Sequence, residues 1–147
     1  MLQDGERVVG EWLAQAHGTR YKLKHEHDYG VRYDLKHEPF VAFDLMRGTE
    51  RVTHDEFINC VYGWFVPAYT LPYEHPLSVE FVMGELGEYG KHGAIDPIEG
   101  AVWRVERDGK VDFLVKYVRP DKVDGKYLEN VSGKDAVWNW TPKGLVQ

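Results

Sequence analysis

The chain has 147 residues, of which 43% are hydrophobic and 29% charged, with a net charge of −6. This is an ordinary globular balance, sized for a single domain over residues 1–147. The acidic excess argues against broad, nonspecific attraction to nucleic acid. The single cysteine, Cys60, excludes an internal disulfide and fits a reducing, cytoplasmic compartment. With no charged-then-apolar leader and no apolar run approaching about 18 residues, neither secretion nor a membrane span is expected.

Residues 6–14 alternate, with Val9, Glu11 and Leu13 on one face and Val8, Gly10 and Trp12 on the other, which predicts a strand. Residues 17–37 are polar and rich in Tyr and His, as in a connection. Lys22, Lys24, Arg32 and Lys36 gather positive charge there, as a local basic patch or as a solvated face. His25 and His27, flanked by Glu26 and Asp28 and followed by His37, would share a strand face. Without cysteines or a second spaced pair they fall short of a structural zinc site. Pro39 restricts the residue before it, and 40–45 reads as a second strand.

Thr53-His54-Asp55-Glu56 is a capping-box pattern ahead of apolar positions at Phe57, Cys60, Val61, Trp64 and Phe65. It predicts a helix over 54–65 with Cys60 on its buried face. A short β-prone run, 66–71, is closed by Pro72, and Ser78 is placed to cap a second helix toward Leu86, ended by Gly84 and Gly87. The 87–97 stretch reads as loop. Beyond Pro120 the pattern fades, and Trp138 and Trp140 are expected to pack a short terminal element onto the core.

The clearest local signal is the hairpin over 98–120. Asp108-Gly109 separates two β-rich runs, and both loop residues of such a turn take positive φ. A two-residue loop sets Arg107 against Lys110 and, counting outward, Ala101 against Lys116 and Glu99 against Val118. Glu99 and Lys116 would then be diagonal neighbours on one face, on the order of 7 Å apart. Strands and helices interspersed with such a hairpin point to an antiparallel α+β fold.

Four segments carry a resemblance in a fixed order: Val9-Gly10-Glu11-Trp12 followed by His17-x-x-Arg20-Tyr21; Phe40-Val41-Ala42-Phe43-Asp44-Leu45; Glu99-Gly100-x-Val102-x-Arg104; and Leu114-Val115-Lys116-Tyr117-Val118-Arg119-Pro120. Together they resemble the nucleotide-binding motifs of ATP-dependent RNA ligases, members of the covalent nucleotidyltransferase superfamily with DNA ligases and mRNA capping enzymes. The resemblance implies antiparallel sheets with packed helices in a ligase/capping-enzyme core, and ATP and Mg²⁺ as cofactors. It implies RNA joining through adenylylated intermediates, as in RNA repair. Glu11 would accept hydrogen bonds from the ribose, and Phe43 would stack on adenine. Asp44 and Glu99 would be the acids of the site, with Glu99 nearest the metal, and Lys116 would meet the AMP phosphate. Val118 stands where the family often has a second basic residue, and Arg119 is expected to point to the other face.

The family's first motif, Lys-x-Asp-Gly, is expected several tens of residues before Glu11, yet the first lysine of the chain is Lys22. The resemblance therefore implies an N-terminally truncated core, either a fragment or one part of a split gene whose nucleophilic lysine comes from a second chain. Such a domain would not self-adenylylate alone, but could still join a pre-adenylylated RNA end. The alternative is a non-catalytic module that binds an adenine nucleotide or an RNA end. A literal Lys122-Val123-Asp124-Gly125 follows the last motif, either as the nucleophile of a permuted ligase or as an ordinary surface turn.

Overall fold

A computed structural model describes residues 2–21 and 39–140. The architecture is mixed α and β with antiparallel pairing dominant. Strand β1 (Glu6–Trp12) pairs antiparallel with β2 (Phe40–Arg47), and β2 turns back into the two-residue β3 (Glu50–Arg51). Helix α1 (His54–Val61) follows, and β4 (Val66–Pro67) then adds to β2 in parallel. Helix α2 (Val79–Leu86) leads to a separate two-stranded sheet, β5 (Gly100–Arg107) with β6 (Lys110–Val118), and a one-turn α3 (Glu129–Ser132) closes the sequence of elements. The expected antiparallel α+β class holds at this level. Among the described residues no helix is long and apolar enough to cross a membrane.

The first strand pair contains a bulge. Val9 faces Asp44 but Gly10 faces Ala42, so Phe43 is an extra residue on β2. That insertion lets Ala42 and Leu45, three positions apart, both enter one core cluster with Val52, Phe57 and Val61. Phe43 is left out of the core. Gly10 is required at the bulge because a Cβ there would collide with the Phe40 ring and the Val41 carbonyl oxygen. Leu13, just past β1, and Val41 of β2 form a second cluster, against which Tyr21, Ala68 and Trp140 pack. Trp140 thus joins the core as expected, whereas Trp138 stays 58% exposed and meets Gln15 by a single bridge.

Both helix starts follow their caps. The Thr53 hydroxyl accepts a hydrogen bond from the Glu56 amide (3.4 Å), and Ser78 accepts one from Phe81 (3.2 Å). Helix α1 ends at Val61 rather than 65, because Tyr62 leaves helical geometry and Gly63 takes φ +78°. Cys60 is only half-buried; Phe57 and Val61 are the residues α1 buries. Gly84 sits inside α2, and Gly87 alone ends it, at φ 73°. The 66–71 run shortens to β4, and β1 stops at Trp12.

The hairpin turn forms as expected, with Asp108 at φ 51°, Gly109 at φ 70° and Arg107 opposite Lys110. Its register does not. Glu106 pairs with Val111 and Val105 with Phe113, so Asp112 is an inserted residue and every later pair moves by one. Lys116 faces Val102, Tyr117 faces Ala101 and Val118 faces Gly100. The expected Ala101–Lys116 and Glu99–Val118 pairs are therefore wrong, and Lys116 lies on the ribbon face opposite Ala101 and Trp103. One bulge, invisible to a two-residue periodicity, accounts for the difference.

Gly100 is the tightest point of this ribbon, since a Cβ would land on the Tyr117 carbonyl oxygen. Gly100→Ala is expected to destabilise the protein by about 2–3 kcal/mol. Gly84→Ala, in a helix interior with nothing within 4 Å, is expected to stabilise it by about 0.5–1 kcal/mol. Urea unfolding of the two variants beside the parent checks both signs.

Candidate functional site

Three segments distant in sequence meet beside the open end of the β5–β6 ribbon. The 17–21 segment carries Gly18, Arg20 and Tyr21; the 94–99 segment carries Asp96 and Glu99; the 119–127 segment carries Lys122, Asp124 and Tyr127. Backbone hydrogen bonds join them: Ile95 N to Arg20 O (2.9 Å), Arg119 N to Glu99 O (2.9 Å) and Tyr127 N to His17 O (2.9 Å).

Asp96, 7% exposed, is the anchor. Its carboxylate accepts from the Arg20 amide (2.8 Å), Arg20 Nε (3.0 Å), Arg20 Nη2 (2.9 Å) and the Tyr127 hydroxyl (2.8 Å). Burial opposes the charge of Asp96, but these donors outweigh it and hold the carboxyl well below the usual carboxylate range. The Arg20 guanidinium also lies over the Tyr127 ring, with Lys126 near the same ring. Asn139 ties this corner to the sheet, accepting from the Tyr21 amide (3.0 Å) and donating to the Leu13 carbonyl (3.0 Å).

On this frame sit the charged groups. Lys122 Nζ is 2.8 Å from Glu99 Oε2 and 2.6 Å from Asp124 Oδ1, and its side chain is 15% exposed. The two carboxylates hold the Lys122 ammonium above its ordinary range, with Asp124 the stronger partner. Gly18 leaves room for Glu99: a Cβ there would strike Glu99 Oε1. Burial first, then the charges of Glu11 and Glu99, push the Tyr21 phenol up to about 12. Lys116 acts on Asp124 and helps to keep that carboxyl low. Glu11, Glu99 and Lys116 thus share one electrostatic neighbourhood, linked through Tyr21, Lys122 and Asp124 rather than by a diagonal contact on the ribbon.

The other expected residues lie apart from this cluster. Asp44 is 3% exposed, and its oxygens take Arg51 Nε (2.6 Å) and Arg104 Nη1 (3.1 Å). Arg104 also donates to the Val52 carbonyl and to Glu106 (2.7 Å), whose carboxylate accepts from the His54 amide at the start of α1 (2.6 Å). Asp44 therefore bonds the sheet to the hairpin. Phe43, at the β2 bulge, is 46% exposed, so its ring is open to a flat ligand. Arg119 turns to the Ile98 and Pro97 carbonyls and to Asp121, away from the lysines.

Sequence reasoning assigned no role to Tyr21 or Asp124 and left Lys122 between two meanings. The available signal was the Lys-x-Asp spacing, and what it lacked was the partner Glu99, reached only through the fold. The basic residues and histidines of 22–38 lie outside the described residues. Among the described residues no group of three or more His, Cys, Asp or Glu side chains is arranged to hold a metal ion. Mg²⁺, however, is commonly bound through one or two carboxylates plus substrate phosphates. Glu99 and Asp124, already converging on one cation, the Lys122 ammonium, suit it in kind. A separate depression of about 300 Å³ lies among Lys126, Tyr127, Ser132, Lys134, Asp135 and Val137 and contains none of the expected site residues.

Tyr21 gives the site a pH signature. A phenol raised from 10.0 to about 12 on folding contributes stability that is complete below pH 10 and lost as pH rises through 12. Between those values the parent is expected to lose stability more steeply than Tyr21→Phe. Denaturant titrations at stepped alkaline pH measure the two slopes.

No family model, no curated protein and no solved structure matches this chain.

Proposed function

We propose that this chain is an RNA ligase-like nucleotidyltransferase domain that binds ATP or AMP and an RNA end. The observation that carries the proposal is the pairing of Lys122 with Glu99 and Asp124, with Glu11 and Lys116 near enough to act electrostatically on Tyr21 and Asp124. Adenylyl chemistry asks for an acceptor toward the ribose, acids near a metal, and cations around the phosphate. Glu11 supplies the first, Glu99 with Asp124 the second, and Lys116 with Lys122 the third. Mg²⁺ held by Glu99 and Asp124 would offset phosphate charge and orient the leaving group. Lys116 acts as a point-charge donor to phosphate oxygens.

One observation favours the non-catalytic form of this proposal. Lys122 is a protonated ammonium bound by two carboxylates, so its nitrogen has no free lone pair for attack. Holding a nucleotide or an adenylylated RNA end needs no such attack.

AMP binding followed by calorimetry tests the site. Lys116→Ala is expected to weaken AMP about tenfold, the loss of one charge-assisted hydrogen bond. Intact mass after incubation with ATP and Mg²⁺ is expected to show no adduct. A gain of one AMP that Lys122→Ala abolishes would instead make the chain a permuted, self-adenylylating ligase. Sealing of pre-adenylylated RNA separates a catalyst from a binder, and failure to bind AMP or ATP at all overturns the proposal.

A further inference from the structure

The β5–β6 ribbon is a two-stranded sheet, and among the described residues β6 pairs only with β5. Two strands alone are marginal in water, and an open edge is a template for another strand. The apolar side chains of this ribbon are unusually bare: Val102 is 57% exposed, Val115 48%, Phe113 44%, and Leu114 and Val118 38% each. The question is what covers them.

We propose that the occupant is a second copy of the same chain, with β6 pairing antiparallel to its own copy about a two-fold axis at Leu114. The sequence of β6 fits that register. Phe113 and Val115 flank Leu114, and Asp112 and Lys116 lie two residues to either side. A two-fold at Leu114 sets Leu114 against itself, Phe113 against Val115 of the copy, and Asp112 against Lys116 of the copy. Each heterologous pair occurs twice because the contact is isologous. Aromatic with β-branched and acid with base are the favourable cross-strand combinations.

Neighbouring registers are worse. Centring on Lys116 opposes two ammoniums; centring on Val115 leaves both Asp112 and Lys116 against apolar partners, Val118 and Leu114; centring on Phe113 opposes Lys110 with Lys116. The Leu114 register leaves only Lys110 against an apolar partner, Val118. Asp112 is the inserted residue of the β5–β6 bulge, and its ion pair with Arg107 (3.0 Å) is solvent-exposed, so exchanging that partner costs little. Joining the two ribbons makes a four-stranded sheet and covers the outer edge of β6 in each copy. The contact stands independently of the nucleotide site. If both hold, AMP and the second copy compete for Lys116.

Sedimentation equilibrium of the full chain over a roughly hundredfold concentration range tests the contact. A monomer–dimer equilibrium is expected. Asp112→Lys should weaken it at least about tenfold by opposing lysines twice, and Asp112→Lys with Lys116→Asp should restore it. In a Cys60→Ser background, Leu114→Cys should form a symmetric disulfide dimer under mild oxidation, since directly opposed strand residues fall within disulfide reach. This second variant keeps the test decisive if Asp112→Lys fails to fold. A concentration-independent monomer, a dimer indifferent to Asp112→Lys, or no cross-link at position 114 overturns the proposal.

Discussion

The candidate site depends on a buried carboxylate that is not itself one of the expected site residues. Asp96 gathers the Arg20 amide, two nitrogens of the Arg20 guanidinium and the Tyr127 hydroxyl, and so fixes three chain segments at one point. Burial is the largest single influence on this carboxylate, and it stays ionised because its donors together outweigh that penalty. Glu99 is three residues from Asp96, Tyr21 is next to Arg20, and Lys122 and Asp124 precede Tyr127 by a few positions. Their spacing is therefore set at Asp96 rather than by contacts among themselves. Rigid support of this kind is what a binding constellation requires of its surroundings.

A second ionic knot, around Asp44, holds the large sheet to the β5–β6 ribbon through Arg51, Arg104, Glu106 and the start of α1. The two knots divide the labour between them. One fixes the corner where the charged groups meet, and the other fixes the ribbon that delivers Lys116 to it. Replacing Asp44 by an apolar residue would strand Arg104, whose side chain is 16% exposed, which is the usual asymmetry of paired charges in a protein interior.

What was legible in the sequence was local. The Thr53 and Ser78 caps and the Asp108-Gly109 turn act over a few residues, and each forms as read, whereas β1 forms without the expected alternation in burial. The glycines of the Gly10-Glu11 and Glu99-Gly100 motifs have a plain steric cause, close approach of backbone or ring. What was not legible was register and partnership. The insertions at Phe43 and Asp112 leave no mark in a short alternating pattern, yet the second moves Lys116 to the other face. Arg104 reaches Asp44 across 60 residues, and Lys122 reaches Glu99 only because the chain doubles back after β6. Pairings of that range are decided by the whole fold, so neither the Asp44–Arg104 bond nor the partner of Lys122 could be read from spacing.

The bridge made by Asn139 has a consequence for how the chain reaches its native state. Leu13 and Tyr21 are joined through a side chain lying 126 and 118 residues further on. Closing loops of that length is slow compared with forming the neighbouring β1–β2 pair and α1, whose contacts are far more local. During synthesis the N-terminal sheet can therefore condense first, while the 17–21 segment waits for residues near 139 to leave the ribosome. The charged corner is then completed after the N-terminal sheet, once the segment around Asn139 docks.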